Sequence, residues 1–171
     1  MKSLNERSSN ELRWVRSKGQ RYMYELHAED TVFATVYWKG FPHASALVES
    51  ADGSWTITQK GLSQTITITD ASSQADLATI RRSISGNVTL QTPAGREFRW
   101  RCTSFWRSIR TWVDADGRPL LHLKRGTIVQ IEADAQGVPE LALLVTLGWY
   151  LYKWQQEEGA FVAATIPMLS N

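Results

Sequence analysis

The sequence predicts an all-β fold: a closed antiparallel barrel of about twelve strands around a central hydrophobic C-terminal α-helix. Three observations carry that expectation. Turn-forming residues recur at strand spacing through most of the chain. The runs between them alternate apolar and polar residues with period two. One late segment then loses all charge and reads as a helix that is apolar on every face.

The turn signals include Lys18-Gly19, Glu29-Asp30, Asp52-Gly53, Lys60-Gly61, Pro93-Ala94-Gly95, Asp114-Ala115-Asp116-Gly117 and Arg125-Gly126. Strands are expected near 12–16, 21–27, 31–38, 44–49, 54–59 and 64–69. Six more are expected near 76–83, 87–91, 97–103, 107–113, 119–124 and 127–132. Trp55 and Ile57 share one face of their run, with threonines on the other, and Thr65-Ile66-Thr67-Ile68-Thr69 repeats the pattern. Phe98, Trp100 and Cys102 point one way, and Arg99 and Arg101 the other. Such strands bury one face and solvate the other.

Residues 139–154 are read as the helix. Pro139 suits a first helical position, and Glu140 and Lys153 complement the macrodipole at its two ends. Between them, residues 141–152 carry no charge. Sixteen residues reach roughly 24 Å, short of the ~30 Å hydrocarbon core, so the expected surroundings are a protein interior. A twelve-stranded barrel has a lumen wide enough for such a plug. Leu141, Leu144, Val145, Gly148 and Leu151 are expected to pack against its wall, with a strand approaching closely at Gly148.

Domain organisation follows from these elements. Residues 1–11 read as a disordered polar tail, 12–154 as a single barrel domain, and 155–171 as a C-terminal tail. At 171 residues, 43% hydrophobic and 21% charged, the chain has the composition of one globular domain, which excludes disorder, collagen and coiled coil. A lone cysteine excludes a disulfide scaffold. The polar start lacks the apolar run of a secretory signal, so a cytoplasmic protein, peripheral at the membrane if it meets one, is expected.

Twelve strands followed by a wholly apolar helix beginning Pro139-Glu140-Leu141-Ala142-Leu143-Leu144 resemble the tubby C-terminal-like superfamily, and within it the small scramblase-like and LURP-one-related proteins. The resemblance spans residues 12–154 and rests on element order. It implies a barrel threaded by its C-terminal helix and, since members include phosphoinositide binders, an anionic lipid ligand. Val138 stands where an acidic residue is expected before the helix proline. No headgroup motif of the family carries over to particular residues.

The phosphate loop, dinucleotide fingerprint, nucleophile elbow and zinc-protease helix are absent from the sequence. His27, His43 and His122 are scattered without a second ligand at metal spacing, and Cys102 reads as a small buried hydrophobe. Asp114-Ala115-Asp116-Gly117 lacks the closing glutamate of a calcium loop and reads as a hairpin turn. No catalytic residue, metal or cofactor is expected, and the chain reads as non-enzymatic.

Charge is unevenly distributed. Net charge is +4 over residues 1–21, −5 over 22–80, +7 over 81–125 and −4 over 126–171, for a total of +2. With Phe98 and Trp100 inward, Arg99 and Arg101 face out. Taking Ile109, Thr111 and Val113 inward on the next strand would set Arg110 and Trp112 beside them. Arginine forks bind phosphate bidentately and tryptophan suits a membrane interface. Arg99, Arg101, Arg110 and Trp112 are therefore the candidate anionic-ligand residues, for a lipid headgroup or a protein partner. No recognition helix or RNA-binding signature points to nucleic acid. The alternatives are a domain with a purely structural or interaction role, its basic face a solvated outer wall with arginine stems covering apolar surface, and a lipocalin-like carrier, against which Gly53-Ser54-Trp55 lies mid-chain and the helix has no polar face.

Overall fold

The computed structural model describes residues 1–40, 45–59, 65–83 and 87–165, with side chains to residue 160. Strands β1 (Glu11–Arg16), β2 (Met23–Ala28), β3 (Thr31–Lys39), β4 (Ser45–Ser50), β5 (Gly53–Gln59) and β6 (Thr65–Asp70) form the first half of the sheet. Strands β7 (Asp76–Arg82), β8 (Val88–Gln91), β9 (Glu97–Ser104), β10 (Ile109–Asp114), β11 (Pro119–Lys124) and β12 (Ile128–Ile131) complete it. Each pairs antiparallel with its neighbours in sequence, and β1 closes on β12 through Glu11↔Gln130, Leu12↔Val129 and Arg13↔Ile128. The result is a closed twelve-stranded barrel. Every expected strand is present within two residues of its expected bounds. His43 lies outside the described residues.

Helix α1 (Leu141–Thr165) begins two residues later than expected and runs eleven residues further than 154. Pro139 and Glu140 form a turn before it: Leu141 N donates to Val138 O, and Leu144 N to Glu140 O. The apolar run ends at Tyr152, but Gln155, Gln156, Glu157 and Glu158 are good helix formers and continue the turns. Twenty-five residues span roughly 37 Å, whereas strands of six to eight residues rise about 20–26 Å before tilt. The helix therefore threads the barrel and emerges beyond it. The expected tail at 155–171 is helical as far as Thr165, and residues 166–171 lie outside the described set.

The expected disorder at residues 1–11 is also corrected. A 3-10 turn, Leu4–Glu6, buries Leu4 in the core. Asp52 accepts from Leu4 N at 3.0 Å and from the Ser3 hydroxyl, and β1 already starts at Glu11. One apolar residue in a polar stretch suffices because the barrel end offers it both a pocket and a carboxylate.

The lumen is filled. Residues 141–151 are buried throughout, including Leu141, Leu144, Val145, Gly148 and Leu151. Thr146 Oγ1 meets its hydrogen-bonding need inside the helix, donating toward Ala142 O and Leu143 O at 3.0 Å. Aromatic rings fill the upper lumen: Trp149 lies 4.6 Å from Tyr24 and 5.3 Å from Trp14 between ring centroids. The close approach expected at Gly148 is made by side chains. A Cβ there would lie 3.0 Å from the Trp100 ring and 3.2 Å from Trp112 Nε1.

Gly126 in the β11–β12 turn is tighter still. Its φ is +71°, and a Cβ would fall 1.9 Å from the Tyr152 ring. Gly126→Ala should therefore lower the melting midpoint by several degrees, from positive-φ strain and displacement of Tyr152. An unchanged thermal transition followed by circular dichroism would show that Tyr152 does not seat against this turn.

Candidate functional site

Antiparallel order sorts the hairpin turns to two ends of the barrel. The lower end, where α1 begins, carries the β2–β3, β4–β5, β6–β7, β8–β9 and β10–β11 turns. The upper end, where α1 emerges, carries the β1–β2, β9–β10 and β11–β12 turns, the three upper turns described in full. Those three are consecutive around the rim, because β9 through β12, then β1 and β2, are neighbours in the sheet.

The two ends differ in charge. At the lower end stand Glu29, Asp30, Asp52, Asp70, Asp76, Asp114, Asp116, Asp134 and Glu140. Two arginines there are paired: Arg96 with Glu140 at 2.6 Å, and Arg118 with Asp114 at 2.8 Å. The three upper turns contain Lys18, Arg21, Arg107 and Arg125, all exposed, and no carboxylate. Arg16, Arg110 and Lys124 stand at the adjoining strand ends. Acidic side chains near this end are engaged. Glu25 accepts from Ser17 and contacts His27, and those hydrogen bonds, His27 first, hold its carboxyl below the usual range. On the emerging helix, Glu157 accepts from Trp38 Nε1 at 2.9 Å and Glu158 pairs with Arg82 at 2.9 Å.

The expected constellation does not assemble. Arg99 and Arg101 lie on the outer face of β9, as read from the sequence, and Arg99 Nε donates to Glu97 at 2.8 Å. Trp112, expected outward, is buried in the lumen, 5.1 Å from Trp100. Arg110 shares its inward register, opposite Cys102 and Leu123, at the upper mouth. The cause is the register shift that skips Thr103 in the pairing with β10: Ser104 pairs with Ile109, but Cys102 with Arg110. Thr111 then faces out, and its hydroxyl is 2.8 Å from His122 Nδ1 and 3.0 Å from the Thr103 hydroxyl. Cys102 keeps the inward register of Phe98 and Trp100 but stands near the upper end of β9, where it is exposed rather than buried.

His122 also meets Glu132 at 2.9 Å, so both described histidines have polar partners. The Asp114–Arg118 segment is the expected hairpin turn, with Asp114 accepting from Asp116 N and Arg118 N. Among the described residues, no group of three or more His, Cys, Asp or Glu is placed to hold a metal ion. No helix of the described residues is long and apolar enough to cross a membrane.

A cavity of about 430 Å³ opens at the lower end between Trp55, Leu77, Pro139 and Leu143, bordered by Asp52, Asp70 and Asp76. Its carboxylates are largely committed to the fold. Asp52 caps the N-terminal turn, and Asp70 accepts from Ser72 and Ser73, which hold it far below the usual carboxylate range.

The β9–β10 turn holds what the sequence reading passed over. Phe105 and Trp106 are 79% and 95% exposed, whereas the other seven tryptophans are 4% exposed or less. Their rings meet edge to face at 6.1 Å. The signal was present: two large aromatic residues occupy a turn position that ordinarily takes Gly, Asn, Asp or Pro. No family model matches the chain, and neither a curated protein nor a solved structure matches it.

Proposed function

We propose that the protein is a non-enzymatic module, peripheral at a cytoplasmic membrane face, whose upper rim binds an anionic lipid surface. The observation that carries this is the sorting of charge along the barrel axis. A nearly neutral chain presents four exposed cations and no carboxylate on three consecutive turns, and gathers most of its acids at the opposite end. Such an axial field orients the molecule as well as attracting it. Arginine and lysine meet phosphate oxygens directly, and each near an anionic leaflet contributes about 1 kcal/mol. The architecture also supports kinship with the tubby C-terminal-like superfamily. A lumen filled by α1 leaves little room for the cargo of a lipocalin-like carrier.

Vesicle co-sedimentation tests the proposal. The intact protein should pellet with phosphatidylcholine vesicles enriched in phosphatidylserine or a phosphoinositide, increasingly with anionic content. Binding should weaken as salt shortens the Debye length from about 10 Å at ~0.1 M to ~3 Å at 1 M. Failure to pellet with any anionic vesicle at low salt would leave a protein partner as the surviving reading.

A further inference from the structure

We propose that the Phe105–Trp106 turn inserts into the bilayer as a hydrophobic wedge and seats the barrel end-on, with the upper rim on the headgroups. The inference rests on the anionic-membrane reading above and adds depth, orientation and a salt-resistant component of binding to it.

The turn is built to hold its rings out. Ser108 N donates to Phe105 O at 3.1 Å, and Arg107 N to the Ser104 hydroxyl at 3.3 Å. Ser108 adopts φ +50°, and its carbonyl accepts from Arg125 N at 3.0 Å, tying this turn to the next one on the rim. Two large apolar rings on an ordered turn therefore stand in water. Folding gives no reason for this, because seven of eight tryptophans found room inside the barrel.

The neighbours indicate what covers them. Arg107 follows the rings directly and Arg125 is on the tied turn, while the β1–β2 turn adds Lys18 and Arg21. Tyr22, 56% exposed with the Arg21 guanidinium 5.5 Å from its ring centre, adds a third aromatic residue. Apolar tips backed by cations match a surface whose outer layer is anionic and whose next layer is hydrocarbon. Tryptophan is suited to that boundary because its ring is apolar and its N–H remains free to bond. A projecting tip also suits a deformable lipid surface better than a preformed protein groove.

The experiment compares wild type, Phe105→Ser/Trp106→Ser and Phe105→Leu/Trp106→Phe on phosphatidylcholine–phosphatidylserine vesicles, at low and high salt. The exposure of both rings means that the variants should fold, checked by their thermal transitions. The serine pair should keep most low-salt binding and lose about a hundredfold of the high-salt affinity, whereas the conservative pair should retain it. Bromine on the lipid chains should quench wild-type fluorescence by the Trp106 contribution alone, since the other indoles are buried. Vesicles should also slow maleimide labelling of the exposed Cys102, just below the tip.

If wild type binds and the serine pair binds with the same salt profile, or bromolipid leaves Trp106 unquenched, insertion is wrong and surface binding stands. If wild type ignores anionic vesicles at every salt, both readings fall. If the aromatic turn instead drives concentration-dependent self-association that the serine pair abolishes, its occupant is a second copy of the chain and the wedge is refuted.

Discussion

Leu144→Asp should abolish the folded domain. Leu144 is fully buried in the first turns of α1, within a lumen lined by strands from every side. Truncating a leucine in such a place to alanine costs about 2–5 kcal/mol through lost transfer energy and a residual cavity. Aspartate adds the desolvation of a carboxyl group. Ionised, it has no cation in the uncharged run to pair with. Protonated, it still carries polar atoms into a wall of Leu, Ile, Val and Trp. The sum reaches the roughly 5–15 kcal/mol that holds an ordinary domain together. The measurement is near-ultraviolet circular dichroism, in which seven packed indoles should give a strong native signal. That signal should vanish in L144D and persist in Leu144→Met, a volume-conserving change expected to cost under about 1.5 kcal/mol. A cooperative, native-like L144D protein would mean that α1 does not plug the barrel.

The same packing explains which parts of the molecule were legible in the sequence. Strands such as Thr65–Asp70 alternate so cleanly that burial could be assigned residue by residue, and Ile66 and Ile68 are indeed inside. Tertiary structure had no competing demand there. Strand β10 is different. Ile109, Thr111 and Val113 form one plausible inward set, and Trp112 belongs to the other, so alternation alone cannot choose. The choice is made by the register shift at Thr103 on the neighbouring strand and by the space beside Gly148, which two indoles fill. Neither is a local property. Leu4 was unreadable for a related reason, because its partner Asp52 lies 48 residues away.

Charge shows the same division. The segmental polarity was visible, but segments are not surfaces. Arg96 and Arg118 belong to the basic segment 81–125 yet lie at the acidic lower end, where both are paired. Lys18 and Arg21 come from the N-terminal segment and join Arg107 and Arg125 on the upper rim. Only the order of strands, which closes β1 on β12, brings those two segments together.

Neutralising that rim should have the largest effect on function. In a variant with Lys18, Arg21, Arg107 and Arg125 changed to glutamine, affinity for phosphatidylserine-rich vesicles should fall about a thousandfold at low salt. The figure follows from about 1 kcal/mol per cation near the leaflet and ~1.4 kcal/mol per decade. All four side chains are exposed, so the thermal midpoint should barely move. The loss should shrink as salt rises, because screening already removes in wild type what the substitutions remove. Arg96→Gln/Arg118→Gln is the informative comparison. If net charge alone governed binding, two neutralised arginines would forfeit half as many decades as four cations. If location governs it, these two, held at the far end of the barrel and already facing Glu140 and Asp114, should leave affinity unchanged. Equal losses per charge at both ends would dismiss an oriented rim and leave only nonspecific attraction to the leaflet.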